Sequence, residues 1–211
     1  MDLFHRIVLV ACGVLGIMAI RQARRNRQLD RAKKQTLTLH GKWRKQFGDG
    51  RLFDAVCLAY ANVPESRPYI EKFCKRRGRV VFEKLRGYMG VWRGASNTIA
   101  LNTCLYWEPV SVTAAIHCHE IVHAKYGYTP AWPTTTRETR RAFEEEIHAC
   151  ALEAVVWKQL REPFLIGFGA FACRYVYRAY RANRLPSLIM EHETYQRAYF
   201  GRPLKVKGKF S

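Results

Sequence analysis

Three histidines, His117, His119 and His123, stand within seven residues in a run from Ala114 to Gly127 that is otherwise mostly apolar. A stretch this apolar is expected to be buried, and a buried imidazole needs a hydrogen-bond partner or a metal. Any fold of this chain must therefore bring polar groups to one helix in its core. The run reads as a helix from about Val110 to about Tyr126, with Pro109 near its first turn and Gly127 as its C-terminal stop. On that helix His119 and His123 share one face, a single turn apart, and both can reach one metal ion. Glu120, rotated by about 100°, lies beside them. His117 points to the opposite side, which fits a core or supporting role better than ligation.

Catalytic zinc takes three protein ligands and leaves a position for water, so a third donor is needed. A second helix is signalled downstream. Thr135 and Glu138 have capping-box spacing, and apolar periodicity runs through Phe143, Ile147, Ala151, Ala154 and Val155 to Leu160. Near its start stand Glu144, Glu145 and Glu146. Glu146 competes with Glu144, Glu145 and Glu153 for the role, because a charge run on a helix is usually a solvated face. His148 is two positions from Glu146 and so points elsewhere. Cys118 and Cys150 are further donors, although a buried free thiol is their commoner state.

H-E-x-x-H on one helix, a linker of some twenty residues, and E-x-x-A on the next resembles the zincin metallopeptidases, and among them the glutamate-liganded branch that includes thermolysin. The resemblance spans about 70 residues, from the strands near 88 to the end of the second helix near 160. It implies a zincin-like α+β fold in which His119, His123 and Glu146 hold Zn2+ and Glu120 is the general base. Ala149 is in register with the motif. The family's usual aspartate, four residues after the third ligand and a partner for a zinc histidine, is Cys150 here.

The remaining segments are organised around that helix. Residues 52–75 suggest two short helices divided by the Pro64 to Pro68 turn. Val80 to Lys84, Tyr88 to Arg93 and Thr98 to Asn102 are short β-branched or aromatic runs separated by Gly87, Gly94 and Asn97, predicting a small antiparallel sheet. In similar zincins the strand corresponding to Thr98–Asn102 is an edge that pairs with extended substrate. After Pro163 an apolar run turns aromatic and basic, fitting a core or interfacial helix of a helical C-terminal subdomain, and the tail carries Arg202, Lys205, Lys207 and Lys209 as a basic arm.

Residues 7–20 are uncharged and apolar, and Arg21, Arg24, Arg25, Arg27, Arg31, Lys33 and Lys34 follow with only Asp30 opposing them. Fourteen residues rise about 21 Å against a hydrocarbon core of about 30 Å, so a span is marginal unless Leu3 and Phe4 extend it. This charge step predicts an N-terminal membrane helix over 1–20, a basic helical or flexible connector over 21–51 and a metallopeptidase domain over 52–211, on the cytoplasmic side by the positive-inside rule. A cleaved signal is disfavoured because arginines stand where the small-residue cleavage site belongs. Seven cysteines, an odd and scattered set, indicate neither a disulfide framework nor a zinc ribbon.

The formal charge of +19 gives a strongly positive field toward phosphate-bearing surfaces, lipid or nucleic acid. The expected function is a membrane-tethered zinc metallopeptidase acting on peptide or protein, with His192 or Tyr195 as a candidate donor to the oxyanion. Two alternatives stand beside it. One is a basic nucleic-acid-associated protease or binding factor, opposed by the absence of any histidine between His123 and His148. The other is an inactive zincin-fold membrane scaffold. Nucleic-acid affinity is expected to be nonspecific, because no DNA-reading motif accompanies the charge.

Overall fold

The apolar run and the basic run after it form one continuous helix, α1 (Leu3–His40), in a computed structural model that describes residues 3–127, 136–160 and 167–191, and of residues 3–13, 136, 139, 168 and 191 the backbone alone. The side chains of residues 7–13, half of the apolar run 7–20, thus lie outside the described residues, as do His192, Tyr195 and the basic tail. Among the described residues no helix is long and apolar enough to cross a membrane. The membrane-spanning helix of the expected fold is therefore not found among the described residues, because the described part of α1 passes into arginines directly after Ile20. Farther along, Ala32 and Thr36 are buried, and the short 3-10 turn Gly41–Gln46 adds the buried Trp43. The connector therefore contributes to the core.

Two helices follow. Asp49 caps α2 (Gly50–Asn62) by accepting the Arg51 backbone N–H at 2.6 Å, and Pro64 and Pro68 redirect the chain into α3 (Arg67–Lys75). The strands are β1 (Arg79–Glu83), β2 (Gly90–Arg93) and β3 (Thr98–Asn102), in the order β1-β3-β2. β2 pairs antiparallel with β3, Trp92 opposite Ile99, whereas β1 pairs parallel with β3, Val80 opposite Ile99. The sheet is mixed, not antiparallel as expected, because the loop after β1 carries the chain to the far side of β3. Asn102 pins that loop by donating its side-chain amide to the carbonyls of Leu85 and Tyr88 at 2.7 and 2.8 Å. β3 is consequently the central strand, with both edges paired, and β1 and β2 are the sheet's edges.

The histidine helix, α4 (Val110–Tyr126), has the bounds its sequence predicts. Gly127 takes φ +91° at its end, a left-handed value that glycine adopts without strain. α4 is buried on almost every side, from Ser111 through Cys118 and on to Ala124, as a helix apolar all round should be. Packed about it are α2, α3, β2, α5 (Thr136–Leu160) and α6 (Phe168–Arg181), and α7 (Leu185–Glu191) closes on α5 and α6. The fold is mostly helical with one small sheet, an α+β arrangement.

His117 lies in the core between the rings of Phe47 and Phe73, edge to face at 6.0 and 6.4 Å, and neither ring nitrogen has a hydrogen-bond partner among the described residues. Burial pushes its pKa down to about 3, so the folded chain holds it neutral. Below pH about 6.5 the unfolded chain takes up a proton that the folded chain refuses, and stability falls as pH falls toward 3. His117→Leu is therefore expected to stabilise by about 1–2 kcal/mol at neutral pH, by removing unpaired polar atoms. The gain should be larger by about 2 kcal/mol at pH 5, by removing the linked proton. Urea unfolding of both proteins at neutral pH and at about pH 5 measures this. A variant less stable under both conditions would show that the imidazole has a partner in solution.

Candidate metal centre

α5 runs back along α4, so that residues rising along one helix meet residues falling along the other: His119 faces Glu146 and Glu153, while His123 faces Glu145 and Glu146. Three side chains converge. His119 Nε2 lies 3.3 Å from His123 Nε2 and 3.3 Å from Glu146 Oε1, and His123 Nε2 lies 3.4 Å from Glu146 Oε2. His119, His123 and Glu146 together can hold a metal ion. For bonds of about 2.0–2.2 Å, ligands at the corners of a tetrahedron stand about 3.3–3.6 Å apart. The two imidazole nitrogens stand at that separation from each other, and each stands at it from a different oxygen of the Glu146 carboxylate, which bridges them. The one-turn spacing of the histidines on α4 sets the first distance.

The outward nitrogens are also occupied. His119 Nδ1 is 3.1 Å from Glu153 Oε2 and His123 Nδ1 is 2.8 Å from Glu145 Oε1. A carboxylate accepting the Nδ1–H fixes the tautomer that leaves Nε2 free to bind a metal, and it makes that nitrogen a better donor. Glu145 and Glu153, which the sequence offers as rivals of Glu146, thus orient the histidines instead. Cys173 of α6 hydrogen-bonds Glu153 in turn. Glu153 stands seven residues after Glu146, two turns along the same face, and that spacing is the one sequence signal of its role.

Charge points the same way. Glu120, Glu145, Glu146 and Glu153 are all buried, four carboxylates around two imidazoles. Burial lowers the pKa of His119, but the charge of Glu146 and hydrogen bonds to Cys150, Glu146 and Glu153 outweigh it and hold the imidazole well above its ordinary value. For His123 burial is likewise outweighed, chiefly by the hydrogen bond to Glu145 and the charge of Glu146. Protons would therefore compete with a bound cation for these nitrogens, and the excess of negative charge suits a divalent ion.

Glu120 lies beside the triangle, against β2. A Cβ at Gly90 would stand 2.7 Å from its Cγ and Oε1, so only glycine lets the strand's backbone approach the carboxylate this closely. Burial pushes the Glu120 carboxyl above the usual range, the neighbouring histidines opposing. Other candidates fall away from the centre. His148 Nδ1 meets the Tyr126 hydroxyl, and Glu144 pairs with Arg140 at 2.9 Å on the surface. Cys150 Sγ is 3.8 Å from Glu146 Oε1, but burial pushes its thiol up to about 11, and that of Cys118 to about 12. Without a metal both are protonated thiols.

Glu145→Gln and Glu153→Gln are each expected to weaken metal binding by about 10–100-fold, through loss of tautomer control and basicity at the imidazole. Competition with a chromophoric chelator measures it. Affinities close to that of the wild type would mean that the two carboxylates do not orient the histidines. No protein-family model, curated protein or solved structure matches this chain.

Proposed function

We propose that the chain is a zinc-dependent metallopeptidase of the H-E-x-x-H plus glutamate kind, a zincin-like α+β domain tethered to a membrane through its first helix. The observation that carries the reading is the triangle of His119, His123 and Glu146 with a further buried carboxylate, Glu120, beside it. His119, His123 and Glu146 would hold the zinc, whose bound form supplies a Lewis acid for water and for a carbonyl oxygen. Nitrogen and carboxylate donors in a tetrahedral triangle suit zinc among the common divalent ions.

Glu120 would accept the proton of the attacking water and return it to the leaving amine. A carboxyl raised by burial suits both transfers, since its pKa moves toward the working pH. Strand β2 is an edge of the sheet, and Gly90 brings its backbone against Glu120. An extended peptide pairing with that edge would have its carbonyls beside the base, a form of strand addition that reads backbone before side chains. The membrane part rests on Val14, Leu15, Ile17, Met18 and Ile20, each half exposed or more, with arginines next in the chain. That charge step would leave the metal centre on the cytoplasmic side.

The test is hydrolysis of a mixed peptide library by the full chain in detergent, before and after chelation and again after stoichiometric Zn2+ is returned. Cleavage lost on chelation and restored by Zn2+ is expected. Cleavage indifferent to chelation, or a zinc-loaded chain that cuts no peptide or unfolded protein, would overturn the reading, the latter in favour of a scaffold.

A further inference from the structure

At the opposite end of α4 from the histidines, a cleft of about 550 Å³ opens between α1, α2 and the first turn of α4. Arg21, Arg24 and Arg25 of α1 and Arg51 of α2 line it, and the one carboxylate on its walls among the described residues is Glu108, whose Oε1 already accepts the Gly169 backbone N–H at 2.9 Å. α4 follows Pro109 with no side-chain cap, and the Val112 N–H already bonds the Pro109 carbonyl at 2.9 Å, so the amides of Val110 and Ser111 and the positive end of a 17-residue helix dipole are left at the cleft. Two further polar groups wait there. Ser111, 2% exposed, has no hydrogen-bond partner for its Oγ among the described residues, and neither does the buried Nε of Arg51. An uncapped helix start, an orphaned hydroxyl and an orphaned guanidinium nitrogen on one cleft form the donor set that a phosphate takes.

The surroundings say what carries the phosphate. Trp107, on the cleft's wall, is 87% exposed, and the exposed apolar side chains Val14 to Ile20 lie on α1 just before Arg21. An exposed tryptophan next to arginines and an apolar helix is the arrangement of a bilayer interface, where aromatic rings sit at headgroup level. A nucleic acid would leave that apolar surface uncovered. We propose that the cleft binds the phosphate headgroup of an anionic phospholipid on the first turn of α4, between Arg24 and Arg51, with its acyl chains along Val14–Ile20. The site is independent of the metal centre, and it would fix the angle at which the domain meets the membrane.

Calorimetric titration of the full chain in detergent micelles tests this, with dioctanoyl phosphatidic acid, dioctanoyl phosphatidylcholine and inorganic phosphate as separate probes. Phosphatidic acid is expected to bind at least about tenfold tighter than either other probe, and equally with or without chelator. Arg51→Gln should weaken it about tenfold and Ser111→Ala about threefold, while Arg86→Gln, the same charge change on an exposed loop outside the cleft, stays within about twofold. Should Arg51→Gln fold poorly by circular dichroism, Arg24→Gln, on the exposed helix, replaces it with the same expectation. Equal weakening by Arg86→Gln would reduce the site to diffuse attraction and overturn the proposal. Inorganic phosphate binding as tightly as the lipid would leave an anion site and refute the lipid. No saturable binding of any probe would overturn both.

Discussion

Glu120→Gln is expected to keep about one zinc per chain and to lose about 10²–10⁴-fold in peptide hydrolysis. The substitution preserves the side chain's shape, so the close contact with Gly90 survives, and it alters none of the three ligands. On the proposed mechanism it removes one property, the capacity to take a proton from water and hand it on. Because burial disfavours the charged form of this glutamate, replacing it with a neutral amide should also remove that cost, and the metal-free variant is expected to unfold at a slightly higher temperature. Loss of activity with gain of stability is a pattern that a misfolded variant does not produce. Metal analysis, steady-state kinetics and a melting curve on one preparation suffice. Retention of wild-type hydrolysis would exclude Glu120 as the base, and loss of zinc together with activity would make it part of the metal's support.

Much of this site is legible in the sequence, and the part that is not has a physical cause. α4 can be placed to the residue because Pro109 and Gly127 bracket an apolar run, and local chemistry decides where such a helix starts and stops. The candidate ligating pair follows from helical periodicity alone. Choosing among Glu144, Glu145, Glu146 and Glu153 is another matter, since all four sit on one helix and their fates depend on how α5 crosses α4. That crossing puts Glu146 between the two Nε2 atoms, Glu145 and Glu153 behind the rings, and Glu144 on the surface. The zincin resemblance points to Glu146 as the ligand, but apart from the two-turn step from Glu146 to Glu153 the sequence holds no sign of which rival is solvated and which is buried against the imidazoles.

The sheet departs from its expected form for a similar reason. Short runs and tight turns imply hairpins between neighbours in sequence. β1 instead lies parallel to β3, and Asn102, at the end of β3, holds the intervening loop through the carbonyls of Leu85 and Tyr88, 17 and 14 positions earlier in the chain. A pattern read over a few residues at a time does not contain a contact of that range.

Removing a ligand should have the opposite signature to removing the base. His123→Ala and Glu146→Ala are each expected to reduce bound zinc from about one per chain to less than about a tenth at equal free metal, since two donors no longer make a tetrahedral site. Their stabilities should then diverge. His123→Ala removes the imidazole that Glu145 meets at 2.8 Å, a loss of about 1.5–3 kcal/mol for a hydrogen bond to a charged group. Glu146→Ala removes one of four crowded carboxylates, and its metal-free form should lose less. In the wild type, chelation should lower the melting temperature, because an ion that binds only the folded chain stabilises it by mass action. In both variants chelation should change nothing. Wild-type protein whose melting temperature ignores both chelator and added Zn2+ would refute the metal centre, and the two histidines would then be core residues held by glutamates. If Glu146→Ala keeps full zinc while Glu145→Ala loses it, the ligand is Glu145, and the geometry of the bound site differs from the triangle described above.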